Sequence, residues 1–213
     1  MKGFFVVFEG IDGSGTSTQS KLLYDYLTSK GIRCHLTAEP SAGPIGTLIR
    51  HGMSGRTAFS KGKNPFLEQS DLFDEQMAYL FAADRHDHLY NSLDGVVGLV
   101  EDGVVVISSR YFFSSFAYHC SSKEEYEFVK ELNSRFPNPD LVVYMDNEVN
   151  VSVERMSSRA VVDEYENKEK LEKVRNNYLN IFDNYDGELL KVDANSPVSD
   201  IHCDIVNKVL GAL

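Results

Sequence analysis

FFVVFEGIDGSGTST, Phe4 to Thr18, is the stretch from which the rest of the chain can be read. Phe4 to Phe8 is wholly apolar and rich in aromatic and β-branched residues. That is the composition of a strand buried on both faces, as in a parallel sheet covered by helices. Gly10 and Gly15 follow with four residues between them, and then come Thr16 and Ser17. A phosphate-binding loop needs Gly, four residues, then Gly-Lys-Ser/Thr, placed between a strand and a helix. Its glycines let backbone N–H groups wrap phosphate oxygens, and the helix that follows adds its positive end. Gly10, Gly13, Ser14, Gly15, Thr16, Ser17 and Thr18 are therefore the candidate phosphate site, with Ser17 where a hydroxyl would meet Mg²⁺. The lysine position holds Thr16, so the cation that normally sits between the β- and γ-phosphates is missing. A Gly/Ser turn that merely joins a strand to a helix would carry similar residues, and local spacing alone does not separate the two readings.

Outward from this junction, short apolar runs alternate with longer segments of helical spacing. The expected strands are Phe4–Phe8, Ile32–Thr37, Val104–Ile107, Leu141–Met145 and Leu189–Val192. Between them the periodicity predicts helices over Ser14–Lys30, around Ile45–His51, over Leu67–Tyr90 and from Phe112 to Cys120. Further helices are expected over Lys123–Phe136, Val149–Arg159, Lys168–Tyr185 and Ser199–Leu213. This alternation argues for an α/β three-layer sandwich, a mostly parallel five-stranded sheet with helices on both faces.

The 213 residues have the length of one domain with room for a small lid. The balance of 21 basic against 32 acidic residues leaves a formal charge of −11, which repels a nucleic-acid backbone but leaves room for a local basic pocket. No nucleic-acid partner is expected. Cys34, Cys120 and Cys203 are scattered and odd in number, so neither a metal frame nor a disulfide framework is expected. No charge-free stretch is long enough to span a bilayer, and no targeting segment is visible, so the expected location is cytoplasmic, with no membrane partner.

FFVVFEGIDGSG, Glu39-Pro40, LFAADR (Leu80 to Arg85), VVVISSRYFFSSFAY, PDLVVYMD (Pro139 to Asp146) and VDANSPVSDIHCDI occur in this order along nearly the whole chain. In these six segments the chain resembles the thymidylate kinase family of nucleoside monophosphate kinases. The resemblance implies a P-loop kinase domain over residues 1–213 with a lid at about 155–167. It also implies a cytosolic homodimer that uses ATP and Mg²⁺ to phosphorylate dTMP.

The same resemblance assigns the remaining site residues. Arg50, Arg85 and Arg110 look like the family's monophosphate-side arginines, and arginine's fork of donors suits phosphate oxygens. Phe81 matches the aromatic that stacks on the pyrimidine, and Tyr118 the aromatic beside the deoxyribose. Ser114 and Ser115 are candidates to contact the base. Asp12 and Glu39, the latter with Pro40, resemble acids that organise Mg²⁺, water or the sugar hydroxyl. Arg155 and Arg159, four residues apart on one helix face, resemble the lid arginines.

Two departures stand out. Thr16 replaces the loop lysine, and Ser109 replaces the aspartate of the family's Asp-Arg-Tyr. Together they leave the local charge nearly unchanged, which reads as a coupled swap in a working site. The competing readings are a kinase for another pyrimidine deoxynucleotide or deoxynucleoside, and a nucleotide binder without turnover.

Overall fold

Along Phe4–Glu9 successive side chains enter opposite cores, which is why every position of this strand is buried. Phe5 and Val7 join Val106, Val142 and Tyr144 on one face; Phe4, Val6 and Phe8 join Val105, Ile107, Leu141, Val143 and Met145 on the other. The computed structural model describes residues 3–64, 71–157 and 168–213.

The order of elements is β1 (Phe4–Glu9), α1 (Thr16–Ser29), β2 (Cys34–Ala38), α2 (Pro44–Met53), α3 (Leu72–Tyr90), α4 (Val96–Glu101) and β3 (Val105–Ser109). It continues with α5 (Phe112–His119), α6 (Lys123–Asn133), β4 (Leu141–Asp146), α7 (Val149–Ser157), α8 (Lys168–Asp183), β5 (Leu189–Asp193) and α9 (Val198–Ala212). The five strands form one wholly parallel sheet in the order β2-β3-β1-β4-β5. Leu23 and Leu27 of α1 pack with Ile201, Ile205 and Val209 of α9 on one face. Phe112 and Phe113 of α5 pack with Leu171, Val174 and Tyr178 of α8 on the other. The α/β three-layer architecture expected from the sequence is the one observed.

This topology positions the site. From β1 the chain crosses toward β2, whereas from β3 it crosses to β4 on the far side of β1. The carboxyl ends of β1 and β3 therefore flank a switch point, where open α/β sheets leave a crevice for ligands. Phe8 pairs with Ser109, so the phosphate loop and Arg110 leave the sheet side by side.

Several boundaries differ from the sequence reading. Strand β3 runs on to Ser109 because Ser108 and Ser109 are paired on both sides, with Val7 and Phe8 and with Thr37 and Ala38. Helix α3 starts at Leu72, where the Asp71 side chain accepts from the N–H groups of Phe73 and Asp74 at 2.8 and 3.3 Å. Residues 67–70 of the expected helix lie outside the described residues. So do Arg159 and the lid segment 160–166; the described part of α7, Val149–Ser157, carries Arg155. Among the described residues no helix is long and apolar enough to cross a membrane.

Candidate active site

The loop after β1 is closed by backbone that only glycine adopts comfortably. Gly13 has φ 80°, and a Cβ there would lie 2.8 Å from the Ser152 carbonyl oxygen. Gly15, at φ 98°, is the N-cap of α1, whose first turn carries no acidic residue and no side-chain cap. The N–H groups at this helix end are thus left for an anion. Asp12, Gly13, Gly15, Thr16, Ser17, Thr18 and Arg110 line the hollow in front of it. Ser17 and Thr18 are exposed and Thr16 is buried. The Ser14 hydroxyl, also buried, has no hydrogen-bond partner among the described residues.

Arg110 enters this hollow from the end of β3. Among the described residues it is the non-glycine with positive φ, 75°, a conformation that costs a side-chain-bearing residue about 1 kcal/mol or more. The turn is held by two hydrogen bonds. The Arg110 N–H donates to the Phe8 carbonyl at 2.8 Å, and the Ser108 hydroxyl donates to the Arg110 carbonyl at 2.8 Å. The guanidinium donates through Nη2 to Asp12 Oδ1 at 2.6 Å and to the Tyr118 hydroxyl at 3.3 Å. Through Nη1 it donates to the hydroxyls of Ser114, at 3.0 Å, and Tyr178, at 3.3 Å. Tyr118 in turn donates to Asp12 Oδ2 at 2.9 Å. Burial opposes the arginine's charge, but Tyr118, Asp12, Tyr178 and Glu9 together hold its pKa well above the ordinary value.

Beneath Arg110 lies Glu9, the fully buried last residue of β1. Its Oε1 accepts from the N–H groups of Tyr111 and Ser114 at 2.8 and 3.3 Å. Its Oε2 lies within hydrogen-bond distance of the hydroxyls of Ser114 and Tyr178, at 2.7 and 2.8 Å. Burial pushes the carboxyl up to about 7, against the opposing pull of Arg110 and of these hydrogen bonds.

On the far side of Arg110 is a second cavity. Its wall includes Asp12, Glu39, Pro40, Phe81, Arg85 and Arg110, and also Ser114, Ser115, Tyr118 and His119. Phe81 is half-buried, with its ring 5.4 Å from that of His119. Arg85 is 1% exposed and grips Glu39 Oε2 through Nε at 2.9 Å and Nη2 at 2.6 Å. It also donates to Asn133 Oδ1 and to the Ser115 hydroxyl. His88 Nδ1 meets Glu39 Oε1 at 3.2 Å. Burial pushes the His119 imidazole below its ordinary value, with nearby Asp74 opposing.

Thus the structure brings together most of the residues singled out in the sequence. Asp12, the loop, Arg110, Phe81, Arg85, Ser114, Ser115 and Tyr118 converge at the crevice. Glu39 and Pro40 line the second cavity, but both Glu39 oxygens are engaged by Arg85 and His88. Arg50 stands outside both cavities and donates to the carbonyls of Pro40 and Ser41 at 2.7 and 2.6 Å, clasping the turn after β2. Arg155 reaches the loop from α7, donating to the Gly13 and Ala194 carbonyls at 3.3 and 3.1 Å. Ser109 is buried in β3 and its carbonyl accepts the Glu39 N–H. Glu9, Tyr178 and His119 escaped the sequence reading. For Glu9 a signal existed, since an acid ending a strand buried on both faces needs partners.

A parallel β2-β3-β1-β4-β5 sheet with a glycine loop between β1 and α1 defines the class: this is the P-loop kinase architecture. The sequence profile of the thymidylate kinase family matches residues 8–205. The chain is 38% identical over 208 residues to the probable thymidylate kinase of Thermococcus gammatolerans, covering 97% of this chain and 96% of the relative. It is 37% identical to that of Pyrococcus horikoshii over 97% and 95%, and 36% identical to that of Methanococcus aeolicus over 97% and 95%. The chain belongs to the thymidylate kinase family.

Proposed function

We propose that the chain transfers the γ-phosphoryl group of ATP to dTMP, giving dTDP and ADP. One observation carries this reading: Arg110 and Asp12 line both the phosphate-loop hollow and the cavity that contains Phe81. A single guanidinium can therefore touch a donor phosphate chain and an acceptor phosphate at once. Phosphoryl transfer asks chiefly for positioning and charge stabilisation.

In this reading the pyrimidine stacks on Phe81, worth about 1–3 kcal/mol. Ser115 and Arg85 offer donors to its polar edge, and Tyr118 crowds the sugar. The acceptor phosphate displaces Asp12 from Arg110, exchanging one anion for another. The residues at the hollow fit Mg²⁺, which takes oxygen ligands and is held mainly by phosphates with one or two protein groups. The Ser17 hydroxyl would hold it with Asp12 nearby, and when bound it neutralises phosphate charge. Arg155 and Arg159 would add the positive charge that Thr16 does not supply. A homodimer fits the exposed apolar residues Leu48 of α2 and Tyr79 and Tyr90 of α3. The helix from Phe112 is the other contact expected from its apolar residues; its Phe112 and Phe113 are buried in the chain's own core.

Thr16 favours a second reading, a nucleotide binder without turnover. A coupled assay of ATP against dTMP, dUMP, UMP, dCMP and thymidine separates them. The expected result is turnover with the highest kcat/KM for dTMP. Equal kcat/KM for dTMP and UMP would overturn the thymidylate assignment, and ATP binding with no turnover on any acceptor would establish the second reading.

A further inference from the structure

Oε2 of Glu9, the Ser114 hydroxyl and the Tyr178 hydroxyl form a closed triangle of oxygens. Its sides are 2.7 Å from Ser114 to Glu9, 2.8 Å from Tyr178 to Glu9 and 2.8 Å from Ser114 to Tyr178. Each side is short enough to be a hydrogen bond and needs one proton. The two hydroxyls bring only two protons between them. Arg110 Nη1 cannot supply the third, because it donates to the outer lone pairs of the same two hydroxyls. A neutral Glu9 carboxyl completes the set, with one proton for each side. Each side's proton must be held by one of its own two oxygens, so a water reaching half-buried Ser114 from the cavity does not make up the deficit.

The cluster stands directly behind the guanidinium that both cavities share. Ser114 comes from α5 and Tyr178 from α8, so three elements meet on this carboxyl. We propose that Glu9 is a positioning residue that orients Arg110 through Ser114 and Tyr178, and that it takes up a proton when a phosphate monoester engages Arg110. The proposal rests on the dTMP reading for the identity of that monoester.

The coupling follows from charge. Without substrate, Arg110 is neutralised from the front by Asp12. A dianionic phosphate in the place of Asp12 brings one more negative charge, which disfavours an ionised carboxylate behind the same guanidinium. By linkage, a ligand that raises the carboxyl's affinity for its proton draws that proton from the buffer. The other ionisable groups around Glu9 and Arg110 are Asp12, Tyr111, Tyr118 and Tyr178. The tyrosines are held well above their ordinary values by burial, so they stay neutral near pH 8. Glu9 itself, pushed by burial to about 7, is mostly ionised at that pH and able to accept. His119, in the wall of the second cavity, is the other candidate acceptor.

Calorimetry of dTMP binding at about pH 8, repeated in buffers of different ionisation heat, counts the protons exchanged. At that pH the free dTMP phosphate is already dianionic and has no proton to release. The wild type should take up a measurable fraction of a proton, Glu9→Gln none, and His119→Gln as much as the wild type. Equal uptake by wild type and Glu9→Gln, or loss of uptake in His119→Gln alone, would overturn the coupling. Infrared spectroscopy of the ligand-free wild type supplies a measurement that needs neither a folded variant nor a substrate. The C=O stretch of a neutral carboxylic acid should be present at about pH 6 and gone by about pH 9. Its absence overturns the inference whatever the substrate. If the band is present and titrates but dTMP does not bind, the proton on Glu9 stands and the dTMP reading falls.

Discussion

Two arginine–carboxylate pairs stand at this crevice, and they do opposite work. Arg85 and Glu39 are 1% and 2% exposed at the side chain, doubly hydrogen-bonded, and enclosed by Asn133, Ser115 and His88. Arg110 and Asp12 are 18% and 27% exposed and meet at the mouth between two cavities. The closed pair cannot exchange its anion without stranding a charge in the interior, so Arg85 offers directional donors with little free charge. The open pair can trade a carboxylate for a phosphate, because water and incoming ligand both reach it. Chemical identity is the same in both; burial decides whether an arginine is scaffold or reagent.

The largest expected effect breaks the closed pair. Arg85→Met leaves Glu39 buried with only His88 beside it, and unfolding in urea should show a loss of about 3–5 kcal/mol. A loss below about 1 kcal/mol would mean that Glu39 relaxes to solvent and that the two pairs are less different than their burial suggests.

Next comes the open pair. Arg110→Lys keeps the charge but discards the fork that reaches Asp12, Tyr118, Ser114 and Tyr178 together. The proposed dTMP kinase activity should fall at least about a hundredfold in kcat/KM, with much less change in the urea midpoint than Arg85→Met produces. A purely structural Arg110 would reverse that order.

Glu9 sharpens the contrast from behind Arg110, through pH. Its folded value, near 7, lies above its unfolded value, so the native state binds the extra proton. The stabilisation is complete below the unfolded value and is lost as pH rises toward 7. Relative to Glu9→Gln, the wild type should therefore lose roughly 3 kcal/mol between about pH 4 and pH 8, read from urea curves along the series. A difference that stays flat would place the carboxyl in its ordinary range.

The two departures from the family pattern give a smaller effect. Thr16 lies in the hollow that Arg110 enters, and Ser109 precedes Arg110. If they are a coupled swap, Thr16→Lys and Ser109→Asp each leave kcat/KM equal or lower, while the double variant exceeds their product by about 0.5–3 kcal/mol. Strict additivity would show that the two positions act independently. Smallest of all, Asp12→Asn should change the stability of the fold by no more than about 1 kcal/mol, since its pair is partly open to solvent.

Much of this could be read from local pattern, and the reason is distance along the chain. A strand buried on both faces shows itself in five consecutive residues, Phe4 to Phe8, and a phosphate loop in the next ten. Both features arise from neighbours in sequence, through backbone geometry and the alternation of faces. The sequence by itself therefore determined the alternation of strands and helices, the parallel layered class, and the place of the glycine loop. It could not rank Arg50, Arg85 and Arg110, which look alike as letters. Arg85 meets Glu39 across 46 residues, Arg110 meets Asp12 across 98, and Tyr178 meets Glu9 across 169. Such partners are chosen by the order of strands in the sheet and by what α5 and α8 bring to its carboxyl edge. The tertiary structure alone decided which arginine was sealed, which was left open, and which carboxyl stood behind it, because burial and the energy of a charge belong to the packed fold.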